Sequence, residues 1–463
     1  MFSFKCGHLA NGGEVRKAIP PRDRVSYCAG VLILLALVLG GAARAGSGKP
    51  PADPPGAVVA IGDVHGDFDD FVSILQRAGL IDQQNHWSGG KTTLVQVGDQ
   101  LDRGPKPRQV LDLMMSLEKE APQSGGRVVS LLGNHEMMNI MGDLRYVTME
   151  NYLSYAASNS EERRKNAFQE YIKWRGSHLA LVTELAQPME LTEAEWMARH
   201  PPGFIEQREA FNPDGQYGKW LREHPAVAEV GGVLYLHGGI SPSMAHAKLD
   251  TINNHVRDEI KAFDSAKEYL QKQKVILPFF NLQEMTAVVQ AELVAERKSR
   301  VPADEQSQAR LIQFLGYGDW VSVKTDGPLW FRGYDQWSEE EGTAQIGKVL
   351  ETYKVDHIAV GHTVQKSGRV RVRFGNKVFL IDTGMLSSYY PGGRASALEI
   401  CGGTKFTAKY MDQQEVLIDP AGISPINRNP VAAAGAAGGA KSPETPAAPP
   451  AGGVCAATAA AAQ

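Results

Sequence analysis

Apolar residues in this chain follow two rhythms that alternate between about Ala57 and Pro420. One is a short, continuous, β-branched run followed by a loop dense in Gly, Asp, His and Asn. Residues 57–61 lead into Gly62-Asp63-Val64-His65-Gly66, and 93–97 into Gly98-Asp99-Gln100-Leu101-Asp102-Arg103-Gly104. Residues 128–132 lead into Gly133-Asn134-His135-Glu136, 233–236 into His237-Gly238-Gly239, and 358–360 into Gly361-His362-Thr363. Unbroken apolar runs of this length predict strands buried on both faces. Loops at the ends of such strands are where α/β sheets place their ligands. The second rhythm is helical: Phe68, Phe71, Val72 and Leu75 share a face, as do Val110, Leu111, Met114 and Met115, and again Ile346, Val349, Leu350 and Tyr353. The last strands are expected at 377–381, 395–400 and 406–411. Two charge-rich stretches, roughly 148–228 and 243–325, read as mostly helical excursions that shape a substrate cleft. No internal repeat is evident.

The ends follow neither rhythm. Lys5, Arg16, Lys17, Arg22 and Arg24 precede 19 uncharged residues, Val25 to Ala43, with an apolar core at Val31–Leu39 and a closing Ala43-Arg44-Ala45. A basic start, a short apolar core and a small-x-small end predict a secretory signal peptide over 1–45. An uncleaved membrane anchor is the alternative, because 19 residues just span a bilayer. Either reading exports the rest of the chain, to the periplasm or the medium. After a linker at 46–55, one domain is expected over 56–420. The Ala-, Pro- and Gly-rich stretch at 421–463 has too little apolar bulk to repay the entropy of ordering and reads as a disordered tail.

Composition narrows the function. Among 463 residues, 43% are hydrophobic and 22% charged, which is globular. With 48 Lys+Arg against 52 Asp+Glu, the chain lacks the basic excess of a general nucleic-acid binder. Beyond residue 45 the balance is 42 basic to 50 acidic. A single long apolar run excludes a polytopic membrane protein. Cys6 and Cys28 fall in the leader, leaving Cys401 on an expected strand and Cys455 in the tail, and a disulfide between them is not favoured.

The five loops together offer Asp63, His65, Asp99, Asn134, His237 and His362. Carboxylate and imidazole donors without nearby cysteine suit Mn, Fe or Zn in a catalytic site better than a structural zinc cage. Six donors exceed the needs of one ion and suffice for two that share a bridging carboxylate.

In order, GDVHG, GDQLDRG, GNHE, HGG and GHT resemble the motifs of the calcineurin-like metallophosphoesterases, specifically the phosphoprotein-phosphatase branch, over roughly Val58 to Gly384. Met137-Met138-Asn139, the run Gly142–Val147 and the run Gly327–Gly333 are similar to those of the Shewanella-like bacterial phosphatases. The Ser-Ala-Pro-Asn-Tyr segment of the eukaryotic enzymes is missing, and Ile381-Asp382-Thr383-Gly384-Met385 stands near its place. The resemblance implies an α/β fold, a four-layer αββα sandwich with two largely helical insertions. It also implies a phosphomonoesterase acting on phosphorylated protein, at Ser/Thr or Tyr, or on small phosphoesters, by direct attack of a metal-bridging hydroxide. Carried over residue by residue, Asp63 and His65 hold one divalent ion, Asp99 bridges, and Asn134, His237 and His362 complete the second. Where many relatives have a second His after His362, this chain has Val364 or Gln365, so the first ion has fewer protein ligands. His135, oriented by Asp102, is the implied general acid for the leaving group. Arg103, and by a looser match Arg332, are the implied phosphate clamps; Arg145 and Tyr146 line the pocket or merely pack.

Two other functions stay open on this reading. The Asp382-Thr383-Gly384 ending is also similar to hydrolases of dinucleoside polyphosphates, which makes a diester or dinucleotide substrate the alternative. A phosphate-binding protein without turnover is more remote, given the intact His135 and Asp102. Cysteine-based chemistry is disfavoured because Cys401 lacks a Cys-x5-Arg loop. Ser241 lacks the flanking glycine of a nucleophile elbow, and no phosphate-binding GxxxxGK[ST] loop is present.

Overall fold

The computed structural model describes residues 56–182, 191–298 and 305–420, together with Cys455. The leader, the linker and all of the tail except Cys455 lie outside the described residues.

Eleven strands among these residues build two sheets. The strands are β1 (Val58–Ile61), β2 (Thr93–Gln96), β3 (Arg127–Ser130), β4 (Val227–Val230), β5 (Val233–Leu236), β6 (His357–Val360), β7 (Arg371–Arg373), β8 (Val378–Leu380), β9 (Ser396–Cys401), β10 (Lys405–Tyr410) and β11 (Gln414–Ile418). The first sheet runs β11-β10-β9-β1-β2-β3 and the second β4-β5-β6-β8-β7. In the first, β1, β2 and β3 are parallel, with Val58 opposite Thr93 and Thr93 opposite Arg127. In the second, β5, β6 and β8 are parallel.

Alternation along these strands sorts their side chains into layers. Val58 and Ala60 of β1, with Val95 of β2, meet Tyr235 of β5, Ala359 of β6 and Phe379 of β8 in a core between the sheets. The alternate residues, Val59, Ile61 and Leu94, face outward against Phe71, Ile74, Leu111 and Met114 of the helices Phe68–Arg77 and Pro107–Glu120. On the other side Leu234, Leu236, Ile358 and Val360 pack on Ile252, Ile346 and Val349. Helix, sheet, sheet and helix are therefore stacked in the four expected layers.

The two expected excursions are helical. The first holds helices Met149–Tyr155, Ser160–Ser177, Leu179–Val182, Glu193–Arg199, Phe204–Ala210 and Gln216–Leu221; the second holds Leu249–Lys272, Leu282–Lys298 and Glu305–Leu315. Its first difference from the sequence reading is β4, which begins inside the stretch read as helical. Strands β7 and β11 were likewise unforeseen. All three lie at sheet edges, where Val227-Ala228-Glu229-Val230, Arg371-Val372-Arg373 and Gln414-Glu415-Val416 mix charged and exposed positions into the run. Edge strands carry such residues because one side of their backbone has no pairing partner.

A second difference is covalent: Cys401, ending β9, is bonded to Cys455, with Cα atoms 5.9 Å apart. Tail composition predicts how a segment fails to pack, but says nothing of one residue returning to a sheet end. Among the described residues no helix is long and apolar enough to cross a membrane.

Candidate active site

The loops after β1, β2, β3, β5 and β6 converge, and all ten sequence-predicted residues except Arg332 are buried or nearly so. Their backbone is unusual. His65, Asp99, Asp102, Arg103 and His362 have φ of 49°, 55°, 65°, 65° and 67°, a left-handed conformation that side chains with a Cβ seldom adopt. Such positions persist only where the surroundings over-determine them. Here Val64 N and His65 N both donate to Asp99 O at 2.9 Å, Gly104 N donates to His65 O at 2.9 Å, and Arg103 N donates to Tyr146 O at 3.1 Å. Buried Glu136 gathers three more donors, Gly133 N at 2.7 Å and Asp99 N and Gln100 N at 2.8 Å each. Gly98 must be glycine, since a Cβ there would stand 2.5 Å from Gly133 N at a φ of +98°.

Three imidazoles are fixed by backbone carbonyls, which only accept. His65 Nδ1 donates to Leu101 O at 2.9 Å, and His237 Nδ1 to Val97 O at 3.0 Å. His362 Nε2 donates to Trp330 O at 3.1 Å. Their remaining nitrogens, His65 Nε2, His237 Nε2 and His362 Nδ1, are then lone pairs turned inward. His65 Nε2 accepts from Arg103 Nη1, whereas the other two meet acceptors. His237 Nε2 lies 2.9 Å from Asn134 Oδ1, 3.2 Å from Asp99 Oδ2 and 3.1 Å from His362 Nδ1. Lone pairs converging with no proton between them repel, and a cation at their centre resolves the conflict. The residues thus fit a divalent ion by the chemistry of the donor set.

Charge states agree with this. Burial, aided by His135, holds His65 well below the usual imidazole value, and burial with His237 does the same to His362, so both are neutral donors. Burial works against ionised Asp99, but His237 and His135 outweigh it and hold the carboxyl well below its ordinary range. Asp63 is pushed well up by burial, with Asp382 and Asp99 adding to the effect. Buried Asp382 is itself raised to about 6 by burial. Three carboxyls packed without a neutralising cation are mutually repulsive, which is the same demand in another form.

Asp99 is the pivot. Its ligand atom and those of His237 and His362 lie within 4.8 Å of one another, as do those of His65, Asp99 and His135. Asp63 stands just outside both trios, its Oδ2 3.8 Å from His65 Nε2, and its Oδ1 accepts His362 N at 3.0 Å.

His135 is held differently. Its Nδ1 is 2.6 Å from Asp102 Oδ2, and its Nε2 is 3.1 Å from Arg103 Nη2. Although burial opposes protonation, Asp99 and Asp102 outweigh it and raise the His135 pKa. Arg103 reaches further, donating through Nη1 to His65 Nε2 and to the Tyr390 hydroxyl. Its Cζ is 5.3, 5.2 and 5.5 Å from the ring centroids of Tyr146, Tyr389 and Tyr390. Arg332 is exposed, and its Nη1 donates to His362 O at 2.9 Å and Thr363 Oγ1 at 3.0 Å, so it borders the site without entering it. Arg145 is committed to Asp143, with Nε 3.0 Å from both carboxylate oxygens, while Tyr146 lines the site 5.0 Å from the His135 ring.

Sequence reasoning missed Tyr389, Tyr390 and the packing of Asp382 against Asp63. Tyr390 is 287 residues from Arg103 and belongs to no motif, so no local signal marked it.

Known proteins are similar to this chain. The family model for calcineurin-like phosphoesterase matches residues 56–366. Shewanella-like protein phosphatase 2 of Arabidopsis thaliana is 35% identical over 225 residues, which are 46% of this chain and 54% of that protein. An uncharacterised protein of Schizosaccharomyces pombe is 29% identical over 351 residues, 75% of this chain and 77% of the other. The solved structure of a cold-active protein tyrosine phosphatase matches with a TM-score of 0.50 at 26% identity, over 78% of this chain and 79% of that one. The chain therefore belongs to the calcineurin-like phosphoesterase family, as a hydrolase of phosphoesters with Shewanella-like protein phosphatases among its homologues.

Proposed function

We propose that this protein is an exported phosphomonoesterase acting on phosphorylated protein, with a preference for aryl phosphates such as phosphotyrosine. The observation that carries the reading is Arg103, a guanidinium ringed by Tyr146, Tyr389 and Tyr390 and 3.1 Å from His135 Nε2. A guanidinium pairs with two phosphate oxygens at once and stays charged at any relevant pH. Phosphate held there has His135 Nε2 beside it and tyrosine faces around it. An aryl group gains from such faces by offset or edge contact, whereas a serine side chain is too short to reach them. The similarity to a protein tyrosine phosphatase points the same way.

Asp63, His65, Asp99, Asn134, His237 and His362 are the residues proposed to hold two divalent ions, of Mn, Fe or Zn, with Asp99 between them. Bound there, the ions supply Lewis acidity toward the phosphate and lower the pKa of water. The chain's own part is protonation and grip. Asp102 fixes His135 through Nδ1 and favours its charged form, so Nε2 carries a proton to the departing ester oxygen. Arg103 holds the phosphate against that proton. Arg332 reaches an incoming phosphate only from the rim, and its role is the weaker of the two clamps. The Cys401–Cys455 disulfide supports an oxidising compartment, in keeping with the exported reading of the leader.

A panel of phosphotyrosine and phosphoserine peptides, p-nitrophenyl phosphate, bis-p-nitrophenyl phosphate and diadenosine tetraphosphate tests the proposal, with metal content measured alongside. Turnover of the monoesters, fastest for phosphotyrosine, is expected. Turnover confined to the diester or the dinucleotide would replace this reading with the alternative one.

A further inference from the structure

We infer that Gln207, on a helix of the first insertion, is a positioning residue for proton donation, acting on Asp102 through Asn139. The inference rests on the general-acid reading of His135. Four buried side chains form a chain of hydrogen bonds. Gln207 Nε2 donates to Asn139 Oδ1 at 2.8 Å, Asn139 Nδ2 donates to Asp102 Oδ1 at 3.0 Å, and Asp102 Oδ2 meets His135 Nδ1 at 2.6 Å. Gln207 is 1% exposed and Asn139 2%.

The direction of the chain is set by chemistry. A carboxylate only accepts, so Asn139 must turn its NH2 toward Asp102, and the second hydrogen of that NH2 goes to His135 O at 3.0 Å. Asn139 Oδ1 is then left facing Gln207, which must present its own NH2. Each amide fixes the next, and the last link is the carboxylate that orients the imidazole. The gap bounded by Asp102, Asn139, Asn151, Gln207 and Phe211 is too narrow to admit a water molecule, so a lost amide would leave Asn139 Oδ1 unpaired.

The helix that carries Gln207, Phe204–Ala210, is docked firmly at this point. Neighbouring Arg208 lies against Gly142, the residue that ends the Asn134–Met141 helix, so closely that a Cβ there would be 2.5 Å from its Nη2. Gly142 has a φ of +82°. The insertion thus meets the catalytic helix where that helix ends, and Gln207 reaches one turn inward to Asn139.

The test compares wild type, His135→Ala, Gln207→Leu and Gln207→Met in the metal-loaded full chain, with p-nitrophenyl phosphate and phenyl phosphate as substrates. Nitrophenolate leaves without help, whereas phenolate needs a proton. For Gln207→Leu, kcat on phenyl phosphate should fall about tenfold, kcat on p-nitrophenyl phosphate less than about twofold, and KM should hold for both, as expected for a support one step behind a catalytic group. Gln207→Met, closer in shape, should reproduce this selectivity should the leucine variant fold poorly. His135→Ala combined with Gln207→Leu should lose no more on phenyl phosphate than His135→Ala alone. Equal losses on both substrates, or no loss on either, would overturn the inference while His135→Ala still discriminates. Should His135→Ala itself slow both substrates alike, the general-acid reading falls instead.

Discussion

His237 and His135 both approach one oxygen, Asp99 Oδ2, at 3.2 and 3.8 Å, and both are essentially buried. They differ in what holds the far nitrogen of the ring. A backbone carbonyl takes the Nδ1 proton of His237, which turns Nε2 toward Asn134 Oδ1 and Asp99 Oδ2. A carboxylate holds His135, which favours a second proton on the ring, and Nε2 lies beside Arg103. On the proposed reading, one residue type serves as cation ligand or proton donor according to a single partner behind it. His65 and His362, both carbonyl-held and both pushed low by burial, side with His237.

The harshest way to break this contrast is to remove the oxygen both rings share. Asp99→Asn should lower kcat by roughly 10³-fold or more, because the substitution takes away the charge proposed to hold the cations and one that supports protonated His135. Metal analysis should show a parallel loss of bound ions. Full metal content with full activity would remove Asp99 from the centre of the account. Next in size, Asp102→Asn should leave metal content intact and slow phenyl phosphate by about 10²-fold, with p-nitrophenyl phosphate slowed several-fold at most. If metal content drops instead, the two sides of Asp99 are not separable.

The convergence of the six donor side chains was legible in the sequence, and the surroundings of His135 only in part. Asp63, His65, Asp99, Asn134, His237 and His362 each follow an apolar strand within a few residues, so local pattern placed them on strand ends. Parallel neighbours β1, β2 and β3, with β5 and β6, then brought those ends together. The four layers were legible through the family resemblance, while the continuous apolar runs by themselves asked only for strands covered on both faces. Tyr389, Tyr390 and Gln207 were not, because their role exists only through contacts hundreds or dozens of residues away in the chain. Edge strands β4, β7 and β11 escaped for a related reason: their residues answer to solvent as much as to the core. The Cys401–Cys455 bond depends on where a tail returns, which no local composition records.

The aromatic wall sharpens the contrast at smaller scale. Tyr389 is half exposed and supports Arg103 with its ring face rather than a hydrogen bond. Tyr389→Leu should therefore fold normally and lower kcat/KM for a phosphotyrosine peptide about fivefold, the range of one aromatic contact, while a phosphoserine peptide loses less than twofold. Uniform losses would assign Tyr389 to phosphate binding and not to selectivity.

The smallest effect on catalysis, none, is expected at His200, which shares the anchoring of His237 outside the site. Its Nδ1 lies 2.8 Å from Trp196 O, its ring stacks on Trp196 at 4.0 Å, and burial lowers its pKa to about 4. Above pH 6.5 the ring is neutral whether the chain is folded or not, and its burial costs nothing electrostatically. As pH falls from 6.5 toward 4, the unfolded chain takes up a proton that the folded ring refuses, and stability is lost by about 2–3 kcal/mol by pH 4.5. His200→Gln should remove that part of the slope, measured as the difference in urea unfolding between pH 7 and pH 4.5, with kcat at pH 7 unchanged. Identical slopes would mean that burial does not hold this ring neutral. In that case burial would be too weak a cause to hold His65 and His362 low either.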